Sequence, residues 1–312
     1  MKTHTLYTFI LVAVLITSSF LGFYRLQKRS LFDWDEAYYL NVVKTWRAGA
    51  DWFVGKIFMP AGISRQSFSE YVLERGGAIN TFSKDGFLAI VFLFSYIFGL
   101  RDVSILWVSG IFGVFTVWLI YLIGKEVYGR AAGIISCAVL AVSVYHLHYS
   151  RSGFPQTTAV FFLYLAVLMY LLSWRGKTNN KISARLLFLC GISLGYALSC
   201  HYILIWALPI FFFWEITSKV LFSIKTPFKD GCKRGLILFA GISIPILFWG
   251  VTSELIRYFL YHNPASREAI RGSLGVGEFA PLFARFSEVL NPLLLRGAPN
   301  TDLVADAAIK LV

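Results

Sequence analysis

The chain has 312 residues, 57% of them hydrophobic and 17% aromatic against 15% charged, with a mean hydropathy of +0.65. That balance excludes a water-soluble globular domain and points to an all-α polytopic membrane protein. A net charge of +12 does not indicate a nucleic-acid partner, because the Lys and Arg residues sit in short clusters between apolar runs, as in cytoplasmic membrane loops.

Residues 5–24 (TLYTFILVAVLITSSFLGFY) form an uncharged run long enough for a membrane-crossing helix, and no small-x-small cleavage site follows. An uncleaved anchor is expected. Directly after it, LFDWDEAYYL (31–40) holds Asp33, Asp35 and Glu36. Asp33 and Glu36 have the spacing of a capping box, with Phe32 before it. The pattern predicts a helix over 34–48, with Tyr39, Val42, Val43 and Trp46 on one face and Gly49 as its stop. Asp35 is left over. It favours the helix dipole and equally suits a reacting group held on a rigid element. Trp34, Tyr38, Trp52, Phe53 and Phe58 give the rest of this loop the composition of elements lying at a membrane interface.

The run GFLAIVFLFSYIFGL (86–100) reaches only about 22 Å as a helix, which favours a segment that dips into the membrane or lies on it. Apolar runs at 103–124, 131–148, 156–173, 186–200, 202–218 and 235–252 bring the expected spans to seven. Lys125 and Arg130, then Arg175, Lys177, Lys181 and Arg185, then Lys219, Lys225, Lys229, Lys233 and Arg234 fall on one side, whereas the short opposite connections hold Arg151 alone. The basic side should be cytoplasmic, leaving the loop 25–102 outside. Arg25, Lys28 and Arg29 pull the other way, and if 86–100 crosses fully the acids face the cytosol. Residues 1–252 thus read as one transmembrane module, and 253–312 as a segment returning to the outer face.

Cys137, Cys190, Cys200 and Cys232 are scattered and read as buried thiols rather than a metal site or a disulfide framework. His146 and His148 stand two residues apart, a spacing that does not place both on one helix face, and His201 lies far along the chain, so no metal or other cofactor is indicated. These histidines, with Tyr149 and its neighbours, suit a lipid- or sugar-lining surface or an aromatic belt. Arg151 offers a planar fork matched to phosphate and Lys84 a point charge; an interface anchor and a solvated loop lysine are the bland alternatives.

Several of these features occur together in one known family. An anchor, an outer loop opening with Asp35-Glu36 and a tyrosine (Tyr38 or Tyr39), the AGADW after its helix, a lysine some 50 residues on, and RSGFP beyond further spans together resemble the C-type glycosyltransferases of family 39. That family includes protein O-mannosyltransferases and lipid A aminoarabinose transferases. The resemblance covers roughly residues 5–175 and implies an inverting transfer of sugar from a polyprenyl phosphate to an acceptor hydroxyl at the outer membrane face. It puts the catalytic acid on Asp35, its companion on Glu36, and phosphate-binding cations on Lys84 and Arg151. Two departures stand out. Lys84 is followed by Asp85-Gly86 where the family has a Pro-Pro pair, and Gln156 replaces an acid often found shortly after the arginine. Family members are usually longer, so the abrupt ending DAAIKLV has the pattern of a fragment.

Two rivals of other classes make different demands. A transporter or flippase wants ionisable groups near the bilayer midplane, where the expected spans hold almost none. A non-catalytic assembly factor predicts that Asp35 is dispensable.

Overall fold

A computed structural model describes residues 3–31, 33–58, 71–72, 84–175, 180–221 and 228–261. Most of them are helical, and there is no strand among them. In chain order the helices are α1 (Thr3–Phe23), α2 (Trp34–Phe58), α3 (Asp85–Phe98), α4 (Asp102–Tyr128), α5 (Arg130–Val142), α6 (Val144–Ser150), α7 (Gln156–Arg175), α8 (Asn180–Cys200), α9 (Leu208–Leu221) and α10 (Phe228–Tyr261), with short 3-10 turns at Leu26–Lys28 and Tyr202–Ala207. Five of these, α1, α4, α7, α8 and α10, are long and apolar enough to cross a membrane, and α5 with α6 makes a sixth if the bent pair is one span.

The difference from seven spans lies at residues 202–218. The run opens as a 3-10 turn and only then becomes α9, a helix of 14 residues. Pro209 supplies the reason: without an N–H and with a fixed φ it suits the first turn of a helix and interrupts any helix running through it. The run 131–148 also departs from a straight rod. Ser143 is extended between α5 and α6, which meet at 63°. The bend brings Ser150 against Gly113 of α4, so closely that a Cβ at Gly113 would collide with the serine side chain.

Helix α2 does not stop at Gly49. It continues to Phe58, because Ala48 and Gly49 are buried in the packed structure, and an interior glycine costs only about 1 kcal/mol relative to alanine. Trp46 and Arg47 tie its middle to α3: the Trp46 ring stands edge-on to Phe92, and the guanidinium donates to the Ser95 carbonyl at 2.7 Å.

Helix α3 begins beside the C-terminal end of α8, where Tyr196 donates its hydroxyl proton to the Gly86 carbonyl at 2.8 Å. It ends beside the start of α4, where Phe98 meets Trp107 and Ser104 donates to the Gly99 carbonyl. Those two places lie at the same end of the bundle, since α4 and α7 run side by side in one direction and α8 returns. With 14 residues and both ends on one side, α3 lies over the bundle rather than through it. Lys125, Arg130, Lys181, Arg185, Lys233 and Arg234 occupy the opposite end.

Apolar burial between helices brings little gain when the alternative is lipid, so close packing carries the association. Helices α8 and α10 meet through Gly191, Gly195 and Gly241, and a Cβ on Gly195 would run into the Ile242 carbonyl oxygen. Gly195→Leu should therefore lower the thermal midpoint, by an overpacking cost of about 1–3 kcal/mol, in a detergent unfolding assay. Gly235→Ala, with nothing within 4 Å of its new methyl, should leave the midpoint unchanged or raise it. Equal losses for both would remove close packing as the reason for these glycines. Of the cysteines, Cys137, Cys190 and Cys200 are buried as expected, whereas Cys232, near the start of α10, is exposed.

Candidate active site

The three acids of the 31–40 stretch take three different positions. Asp33 caps α2, its Oδ1 accepting the Asp35 N–H at 3.0 Å. Glu36 is wholly buried, its carboxylate accepting the Gly153 N–H at 2.7 Å and the Arg29 guanidinium at 3.3 Å. The half-buried Asp35 faces Tyr39, one turn along the helix, and its Oδ2 accepts the tyrosine O–H at 3.4 Å.

Lys84 completes this line. Its ammonium hydrogen-bonds the Tyr39 hydroxyl oxygen and lies 4.5 Å from the centroid of the same ring. The lysine is placed by α3, whose first turn presses on the end of α8: a Cβ on Gly86 would overlap the Ser199 hydroxyl and come within 3.1 Å of the Cys200 sulfur. Glycine here gives the close approach, at the place where the resembled family has prolines. The next residue after α8 is His201, whose Nδ1 accepts the Ile203 N–H at 3.3 Å and whose ring stacks on Tyr202.

Charges and burial set the protonation states. Burial, with the nearby Asp35 carboxylate, pushes the Tyr39 phenol well above its ordinary value of 10.0, so it stays protonated and remains a donor. Burial pulls the Lys84 ammonium below its ordinary 10.5, opposed in part by Asp35. His201 is held below 6.5 by burial and by the positive charge of Lys84, which favours the neutral imidazole at pH 7. Asp35, Tyr39, Lys84 and His201 thus form one electrostatically connected group, with Tyr38 edge-on to Tyr39.

The remaining expected site residues are placed elsewhere. Arg151 spends its fork on the end of α1, donating to the carbonyls of Leu21 and, at 2.9 Å, Tyr24. His146 lies 3.4 Å from the Ser150 hydroxyl, and His148 and Tyr149 stack edge to face. Among the described residues no hydrogen bond or ring contact joins Arg151, His146, His148 or Tyr149 to Asp35 or Lys84. Gln156 opens α7 with its amide oxygen buried and without a partner. No three His, Cys, Asp or Glu side chains among the described residues gather closely enough to hold a metal ion.

A polytopic helical bundle is the architecture of a C-type membrane glycosyltransferase, and the sequence profile of that class matches this chain. The chain belongs to the dolichyl-phosphate-mannose-protein mannosyltransferase family, whose sequence profile matches residues 86–249, more than half its length. No curated protein matches it. The matched segment carries α3 and the spans from α4 to α10, but Asp35, Glu36 and Lys84 precede it.

Proposed function

We propose that this protein transfers a sugar from a polyprenyl-phosphate carrier to an acceptor hydroxyl at the outer face of a bacterial plasma membrane, with inversion and with Asp35 as general base. The observation that carries this reading is the Asp35, Tyr39 and Lys84 line, which sets a base and a phosphate-seeking cation side by side at the end of the bundle opposite the basic clusters. The acceptor O–H proton passes to the Asp35 carboxylate as the acceptor oxygen bonds the anomeric carbon. The bond from that carbon to the phosphate oxygen breaks, and its electron pair leaves on the lipid phosphate. General-base assistance contributes typically 10²- to 10⁴-fold. Lys84 offsets the charge on the departing phosphate, and such charge-assisted bonds are roughly twice as strong as neutral ones. Tyr39 bridges the two, with Tyr38 edge-on to its ring and His201 within reach of the Lys84 charge. Arg151, engaged with the α1 carbonyls, is given no part in holding phosphate.

The test uses sealed right-side-out vesicles and a protein in which the four native cysteines are replaced and Ser30 is changed to Cys. Labelling from outside by a membrane-impermeant maleimide, together with release of polyprenyl phosphate from polyprenyl-phosphate-linked sugars, is the expected result. Labelling only after permeabilisation would put Asp35 in the cytosol and overturn the proposed face. Absence of lipid phosphate release with any such donor would overturn the donor class.

A further inference from the structure

The turn between α6 and α7, residues 151–155, is bonded to three separate elements. Arg151 clamps the C-terminal carbonyls of α1, the Phe154 carbonyl accepts the Ser109 hydroxyl of α4 at 3.2 Å, and the Gly153 N–H reaches the Glu36 carboxylate at the start of α2. Glu36 has no exposed surface. Its aliphatic part rests on Gly153, where a Cβ would stand 3.2 Å from the Glu36 Cγ and equally close to Ile105. The local sequence is built around this bond, since a larger residue at 153 would push the glutamate away.

We infer that Glu36 is a positioning residue for the transfer reaction, fixing its neighbour Asp35 by anchoring the first turn of α2 to the Gly153 N–H, and is not a second reacting carboxylate. The inference rests on reading Asp35 as the base. A carboxylate sealed from solvent, its charge offset by Arg29 and a backbone N–H, offers no path to an acceptor hydroxyl. Its adjacency to Asp35 lets it act through the backbone, and a displacement of about 1 Å at a reacting group can cost on the order of 10²-fold in rate. What the position needs is an acceptor for the Gly153 N–H. Gln supplies one and Ala does not.

The experiment compares wild type, Glu36→Gln, Glu36→Ala and Asp35→Asn in two assays. Hydrogen exchange over residues 31–40 and 150–155 needs no substrate. Turnover is measured with polyprenyl-phosphate-linked mannose in proteoliposomes. Glu36→Ala should exchange faster in both segments and lose about 10- to 100-fold in kcat with little change in KM, and Glu36→Gln should restore slow exchange and most of the lost kcat. Loss of kcat in Glu36→Gln as deep as in Asp35→Asn, with exchange still slow, would make Glu36 a reacting group and overturn the inference. So would unchanged exchange in Glu36→Ala. If Glu36→Ala does not fold, the exchange and turnover of Glu36→Gln decide. A fully active Asp35→Asn would instead defeat the base assignment, and the exchange results would still report on the anchor.

Discussion

Asp35→Asn should turn over the lipid-linked sugar at least roughly 10²-fold more slowly than wild type while still binding it. The substitution is nearly isosteric, and the asparagine amide oxygen can accept the Tyr39 O–H that Asp35 Oδ2 now accepts at 3.4 Å. The cap at Asp33 uses the residue 35 backbone N–H and is untouched by the change. What disappears is the proton acceptor and one negative charge. The loss should fall on kcat, because the base acts only as the acceptor O–H breaks, and KM for the donor near neutral pH should stay within a few-fold. Lys84 would also feel the change. Asp35 is the group that opposes the burial-driven fall of the lysine's pKa, so in the asparagine variant the ammonium should deprotonate at a still lower pH. Steady-state kinetics across pH check both parts, and undiminished kcat would remove Asp35 from the mechanism.

The spans and the acid pair were legible in the sequence for different reasons. Helices α1, α4, α7, α8 and α10 follow from apolar run length alone, because a backbone in lipid must satisfy its own hydrogen bonds. The contact of Asp35 with Tyr39 is local, one turn of one helix. Pro209 is a break visible within 202–218, in a run whose hydropathy alone fits a span. Gly49 misled in the opposite sense, because a glycine inside a helix costs only about 1 kcal/mol relative to alanine, and the turn that holds it is packed, with Ala48 and Gly49 buried and Trp46 and Arg47 just before them bound to α3. The bend at Ser143 has no sequence mark, with neither proline nor glycine there. The approach of Lys84 to Tyr39 depends on Gly86 fitting against Ser199 and Cys200, a tertiary contact that no periodicity encodes. The same holds for Glu36 with Gly153 and for the carbonyls that occupy Arg151. Side-chain chemistry marked Arg151 as a phosphate fork, and the structure gives that fork other acceptors.

Lys84 should set the alkaline limit of activity, at a pH below the ordinary lysine range. Burial lowers its pKa from 10.5, so between the folded and unfolded values the unfolded chain binds more protons, and raising the pH through that window favours folding. Function runs the opposite way. The form that attracts phosphate is the ammonium, and it is lost as pH rises through the lowered pKa. A bound phosphate would itself draw the proton back onto the amine, so the limb should be sharp in kcat/KM, which reports the free enzyme, and displaced upward in kcat. Lys84→Arg should move the limb in kcat/KM upward, since a guanidinium stays charged across the range, even if its different shape reduces the maximum. Lys84→Ala should raise the donor KM and lower kcat/KM on the order of 10- to 100-fold, the cost of one hydrogen bond to a charged group. An alkaline limb that stays in place in the arginine variant would belong to another group, and an unchanged donor KM in the alanine variant would leave the phosphate without Lys84 as its partner.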